Sequence, residues 1–331
     1  MSLMLDEIGE ASAAATRVLA NMPAIAAVAA RIQGLAPRFV VVAARGSSSH
    51  AGTYLRSLIG RDLGLAAAAS MPSLASVYQR PQHLAGALFI AISQSGRSPD
   101  LIATAEQARA GGALTLAIVN DITSPLATAC ELVLDIKAGP ERSVAATKTV
   151  IATLATGLAL LRLWASLPVG MDALPARLAK APDWPALAEA LTAHANIFII
   201  GRGPGLGIAK EVALKLAETC GVAAIAHSAA ELAHGPMALA GPNFPVLALM
   251  QDDATRPHTE ALLPSLIARG TPVLAAGGSG TVTLPVLPPA DPDADLLVML
   301  VSAYRAIEAA ARARGRDPDR PPALQKVTQT T

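Results

Sequence analysis

Phe39-Val40-Val41-Val42-Ala43, followed by Ala44, Arg45-Gly46-Ser47-Ser48-Ser49-His50, is an apolar run that empties into a glycine turn and then a helical stretch. A short, uninterrupted β-branched run of this kind suits a strand covered on both faces, the situation of a parallel sheet under helices. The same grammar returns later in the chain. Ile197 to Ile200 run into Gly201-Arg202-Gly203-Pro204-Gly205, Leu88 to Ile92 match Val246 to Met250, and Leu114 to Val119 match Val273 to Ala276. An offset of roughly 155 residues is far longer than solenoid periods and reads as a domain duplication. Strands alternating with helices predict right-handed βαβ units, hence two α/β, doubly wound parallel-sheet domains in tandem.

The boundaries follow from punctuation. Residues 1–35 read as an N-terminal helical hairpin marked by Pro23 and Pro37. The first domain is expected over 36–170, a Pro-interrupted connector over 171–190, the second domain over 191–314, and a tail over 315–331. A chain of 331 residues fits two domains of roughly 100–200 residues each. With 52% hydrophobic and only 15% charged residues the buried fraction is large, yet no apolar run reaches the ~20 residues that span a bilayer, so no membrane partner is expected. Asp6, Glu7 and Glu10 precede any basic residue, unlike a signal peptide, so a cytoplasmic location is expected. The 26 basic and 25 acidic side chains form no clustered basic face, which argues against nucleic acid. Cys130 and Cys220 have no metal-ligand spacing and read as buried hydrophobes, so neither a metal nor a cofactor is expected.

Ala91-Ile92-Ser93-Gln94-Ser95-Gly96-Arg97-Ser98-Pro99-Asp100 follows the apolar run Ala87 to Ile90 and precedes a helix. Its serines can cap that helix. A cap needs one hydroxyl and this loop offers three, at a place where unpaired backbone N–H groups and the macrodipole favour an anion; that is the composition of a phosphate cradle. Ligands in open α/β sheets sit beyond the carboxyl ends of the strands, so this loop and Gly46-Ser47-Ser48 should converge on one site.

The glycine turn of the second half invites a dinucleotide reading, but Pro204 interrupts it and no acidic residue stands at the end of a following strand; Glu218 falls within a helix. Met250-Gln251-Asp252-Asp253 occupies the place of the serine loop, and its carboxylates would repel a phosphate. One phosphate site per chain is expected, in the first domain.

These motifs resemble the sugar isomerase, or SIS, domain family, in its double-SIS, flavodoxin-like three-layer form shared by the isomerase half of glucosamine-6-phosphate synthase and its deaminase relatives. Ser93-Gln94-Ser95-Gly96 with Ser98 resembles the family's phosphate loop and Gly46-Ser47-Ser48 its first sugar-phosphate turn. Val144-Ala145-Ala146-Thr147-Lys148 is similar to a sugar-contacting segment in which Ala146 replaces a serine, and Arg45 stands where the family has a cysteine. Arg45 offers either a second charge for the phosphate or an ion pair to a carboxylated substrate. Ala213 to Glu218 and Glu231 to Pro236 resemble the blocks carrying a general base and a ring-opening histidine, and Leu324 to Thr328 a tail whose lysine meets the sugar carbonyl. The resemblance implies Glu218, His234 and Lys326 as catalytic residues. It implies Gly46, Ser47, Ser48, Ser93, Gln94, Ser95, Ser98, Val144 and Lys215 as substrate contacts. It further implies a hexose 6-phosphate or amino-sugar phosphate as ligand, and a homodimer in which His234 serves the neighbouring subunit.

The side-chain chemistry fits. Moving a proton between C1 and C2 of an open-chain sugar phosphate needs one carboxylate within reach, and Glu218 is the candidate; Glu211, Lys215 and Glu218 share a helix face. Without the resemblance, the same spacing reads as an ion pair on a solvated face. An imidazole with a pKa near 6.5 can open the ring. Lys326 has two open roles, Schiff base or cation beside an oxyanion, and on a tail it can close over an occupied site. Met1 is not followed by cysteine and two domains consume the residues present, so glutamine-dependent synthesis is not expected. The first expectation is an amino-sugar phosphate deaminase or isomerase converting glucosamine 6-phosphate to fructose 6-phosphate and ammonia. A deglycase for amine-linked sugar phosphates and a non-catalytic sugar-phosphate sensor are the alternatives.

Overall fold

The computed structural model describes residues 2–326. Of the tail motif, Lys326 is therefore described, while Val327 and Thr328 lie outside the described residues. The chain forms two compact units, each built on its own five-stranded parallel sheet.

The first unit comprises Ala13–Glu141, Lys148–Asp172 and the chain from Gln325. Its strands are β1 (Phe39–Ala44), β2 (Ala66–Ala69), β3 (Ala87–Ser93), β4 (Leu114–Val119) and β5 (Leu132–Asp135), in the order β2-β1-β3-β4-β5. This is the doubly wound flavodoxin-like order, whose topological switch point lies between β1 and β3. The two pair in register from Phe39 opposite Ala87 to Ala44 opposite Ile92, so the turn after β1 and the serine loop after β3 leave the sheet side by side. All seven residues of β3 are buried, as expected of a central strand covered on both faces. Phe89, Ala91, Leu101, Ala105, Ala117 and Leu126 form the core between the sheet and the helix Pro99–Ala110. The helix Lys148–Trp164 is buried almost all round, the mark of a helix enclosed within a domain rather than lying on one.

The second unit comprises the chain up to Ser12, Arg142–Thr147 and Ala173–Leu324. It holds β6 (Asn196–Ile200), β7 (Ala223–His227), β8 (Val246–Leu249), β9 (Val273–Ala276) and β10 (Val282–Leu284), ordered β10-β9-β8-β6-β7. Read from the other edge this repeats the first sheet's topology, as a duplication requires. Two details depart from the sequence reading. The N-terminal hairpin is three helices, Leu3–Gly9, Ala11–Ala20 and Met22–Leu35, because the chain breaks at Glu10 as well as at Asn21. Residues 142–147 also pack within the second unit, although both flanks, Glu141 and Lys148, belong to the first. Among the described residues no single helix is long and apolar enough to cross a membrane.

Candidate functional site

In the first unit two helix N-termini meet the switch point. The helix Gly46–Leu63 begins at the end of β1 with no side chain capping it, and Gly46 takes a left-handed φ of +50°. The helix Pro99–Ala110 begins at Ser98, whose hydroxyl makes no capping bond. The cap reading of Ser98 is thereby overturned: Pro99 has no N–H to offer, and the Leu101 N–H of the first turn donates to Asp100 Oδ1 at 2.8 Å instead of to the serine. Ser93 is buried and accepts a hydrogen bond from the Gly96 N–H at 3.1 Å, so it closes the loop; Gln94, Ser95 and Ser98 are half-buried at its rim.

The loop is held from behind. Gly96 has φ +64°, and a Cβ there would collide with Ser124 Oγ, so glycine is obligatory by conformation and by space. The Gly96 carbonyl accepts from Leu126 N at 3.1 Å and the Gln94 carbonyl from Asn120 N at 3.2 Å. Asn120 is fixed in turn by Gly139 O (2.8 Å) and the Ala138 N–H (3.0 Å). Arg45, open to two roles in the sequence, is committed within the protein. Its Nε donates to Asp100 Oδ2 at 2.8 Å and its Nη2 lies 2.7 Å from the same oxygen, with the Asp100 side chain fully buried. It clamps the β1 turn to the start of the following loop's helix, and its charge is spent there. Arg97 is likewise engaged, 3.0 Å from Asp121; hydrogen bonds from Thr123 and then Arg97 hold the Asp121 carboxyl below its ordinary value.

The second sheet's switch point is plugged. Gln251, 1% exposed, donates to Arg202 O at 2.9 Å and to Thr255 Oγ1 at 3.1 Å, and a Cβ on Gly205 would lie 2.6 Å from its Oε1. Asp253 is turned onto Thr255. The glycine turn thus serves close packing of a glutamine.

The carboxylate cluster lies in the second unit, at the end of the helix Gly205–Lys215. Lys215 Nζ is 2.5 Å from Glu218 Oε2 and 3.5 Å from Glu211 Oε1, and Tyr304 Oη donates to Glu211 at 3.0 Å. Glu211 and Lys215 side chains are each 1% exposed and Glu218 is 20% exposed, so the solvated-face reading fails. Buried charges of this kind persist only when paired and hydrogen-bonded. Lys215, read from sequence as a substrate contact, is enclosed between two carboxylates and aims Glu218. A feature the sequence did not show is that Leu216–Cys220 forms a π-helical turn, which carries Glu218. Such turns recur at functional sites because the extra residue re-aims side chains. Pairing and burial leave Glu218 as the one member of the cluster with an accessible face.

His234 caps the C-terminus of the helix Ala229–Ala233, exposed and followed by Gly235 at φ +147°; among the described residues its imidazole makes no hydrogen bond or ion pair. Val144 is half-buried, its N–H 3.4 Å from Asp319 O. In the first unit Lys326 Nζ lies 3.4 Å from Glu141 Oε2, a carboxylate that is fully buried and also accepts from Thr149. Glu141 went unnoticed in the sequence, where an acid just before Val144-Ala145-Ala146-Thr147 was its only signal. Among the described residues no His, Cys, Asp or Glu cluster would hold a metal ion.

Comparison with known proteins agrees with this architecture. Over 281 residues the chain is 34% identical to a glutamine–fructose-6-phosphate aminotransferase (isomerizing) of Symbiobacterium thermophilum, covering 79% of this chain and 45% of that protein. The chain spans about half the length of the curated relatives it matches. Among solved structures, a candidate phosphosugar isomerase from Silicibacter pomeroyi DSS-3 superposes with a TM-score of 0.92 at 40% identity, covering 96% of this chain and all of that one. A glucosamine-6-phosphate deaminase from Thermotoga maritima shares the fold, with a TM-score of 0.81 at 20% identity over 99% of this chain and 100% of that one. The SIS domain model matches residues 37–163 and 190–286, the two sheets in turn, and the chain belongs to the SIS domain family.

Proposed function

We propose that this protein is an amino-sugar phosphate deaminase and isomerase, with glucosamine 6-phosphate and water giving fructose 6-phosphate and ammonia. The observation that carries the reading is the Glu211–Lys215–Glu218 cluster: a carboxylate on a π turn, fixed at 2.5 Å by an enclosed lysine and reachable from outside. A fixed carboxylate with one open face is what shuttling a proton between adjacent carbons requires. The serine loop supplies the phosphate anchor beside the starts of two helices, where Arg45 pairs with Asp100 and Arg97 with Asp121. His234 serves ring opening, on a homodimer in which it reaches the neighbouring subunit's substrate, and Lys326 meets the open-chain carbonyl. A cytoplasmic enzyme would find such substrates at hand. The support from relatives is the isomerizing aminotransferases and the 40%-identical isomerase candidate.

The test is release of ammonia from purified protein given glucosamine 6-phosphate without glutamine, with fructose 6-phosphate followed in parallel. Both products in equal amounts are expected. Turnover confined to amine-linked sugar phosphates, or binding without turnover of any, would replace the deaminase with a deglycase or a sensor.

A further inference from the structure

Three successive backbone N–H groups at the start of the 142–147 segment are held by residues from the two ends of the chain. Glu7, 5% exposed, accepts from Arg142 N and, at 3.2 Å, from Ser143 N; the Val144 N–H points to Asp319 O at 3.4 Å. Asp319 also grips the helix that carries Glu7. Its carboxylate accepts from Leu3 N at 2.8 Å and Met4 N at 2.7 Å, the first orphan donors of the helix Leu3–Gly9. Ser2 completes the end, accepting from Leu5 N at 3.1 Å and donating to the buried Glu308 at 2.6 Å. Sinking a carboxylate such as Glu7 below the surface to bind two main-chain amides is costly, and the return is a fixed backbone geometry.

We infer that the helix Leu3–Gly9 is a strut that sets the geometry of the 142–147 segment, with Glu7 and Asp319 as positioning residues for the sugar contact at Val144. This rests on the proposed function and on the substrate contact that the resemblance implies for Val144. Asp319 precedes the tail that delivers Lys326, and Glu141, the partner of Lys326, immediately precedes Arg142. The root of the tail and the segment beside its docking acid are thus registered by one short helix. The serine loop shares none of these contacts, so the strut should govern recognition of the sugar and leave recognition of phosphate alone.

The experiment is Glu7→Ala in the full chain, with Glu7→Gln, which keeps one acceptor oxygen, and Asp319→Ala alongside. Amide hydrogen exchange of residues 142–144 should quicken by about tenfold or more in both alanine variants and less in Glu7→Gln. Affinity for fructose 6-phosphate should fall about tenfold while inorganic phosphate binding stays within about twofold, a split that mere loss of stability would not produce. Unchanged exchange overturns the strut. Quicker exchange with unaltered sugar-phosphate affinity overturns the positioning role, as does parallel loss of both ligands. Wild-type protein that binds phosphate and not fructose 6-phosphate rejects the functional reading instead, and the exchange rates still decide whether the helix holds the segment.

Discussion

The proposed chemistry turns on Glu218, and its environment says how it would act. Lys215 sits between two carboxylates, and of the three side chains only that of Glu218 is appreciably exposed, at 20%. Glu218→Gln should keep sugar-phosphate affinity and lose about 10²–10⁴-fold in kcat, measured by steady-state kinetics beside calorimetric binding. The residue and its partners were legible as spacing; their burial was not, since i, i+3 and i+4 charges look alike on an exposed face and an enclosed one. A second residue has a pH signature. Burial pushes the Cys130 thiol up to about 12 from 9.0. The folded state therefore favours the neutral thiol, and this contribution to stability is whole below about pH 9 and falls away between about 9 and 12. Urea unfolding of wild type and Cys130→Ala should show a gap that narrows over that window.

At the scale of elements, neighbouring loops brace the serine loop proposed as the phosphate cradle. Gly96→Ala places a Cβ against Ser124 in a left-handed backbone and should cost about 1–3 kcal/mol, read from the denaturation midpoint, with weaker phosphate binding. Arg45→Ala breaks a bond between loop and turn and strands the buried Asp100. Because the Arg45 side chain is 49% exposed, about 1–3 kcal/mol of destabilisation is expected, and Arg45→Lys should restore part of it. The central strands were readable because each is an apolar run of Val, Ile, Leu and Ala. The edge strands were not. Ala66–Ala69 is four alanines, largely exposed, with neither β-propensity nor alternation to mark it, and β10 is three residues long. The π turn also escaped, because nothing in Leu216-Ala217-Glu218-Thr219-Cys220 distinguishes one extra residue per turn from an ordinary helix.

On the scale of the whole molecule, the duplication gave two sheets of one topology, with the serine loop at one switch point and Gln251 packed against the turn at the other. The difference was visible in sequence as serines against Met250-Gln251-Asp252-Asp253, but the packing of Gln251 onto Arg202 and Thr255 was not. The threading of residues 142–147 and the N-terminal helix into the second unit was not visible, because long-range backbone bonds such as Glu7 to Ser143 leave no local pattern. Truncation after Pro322 removes Lys326 and its bond to Glu141. It should leave the melting temperature within a few degrees of wild type while abolishing turnover, checked by calorimetry and the ammonia assay.

The proton transfer proposed for Glu218 can be tested without ammonia. Fructose 6-phosphate incubated with the protein in D₂O should lose one of its C1 proton signals by NMR, at a rate proportional to enzyme, and Glu218→Gln should bind the same ligand and leave that signal intact. Exchange by the variant at the wild-type rate, or none by a wild-type protein saturated with fructose 6-phosphate, would contradict the assignment of Glu218 as the base.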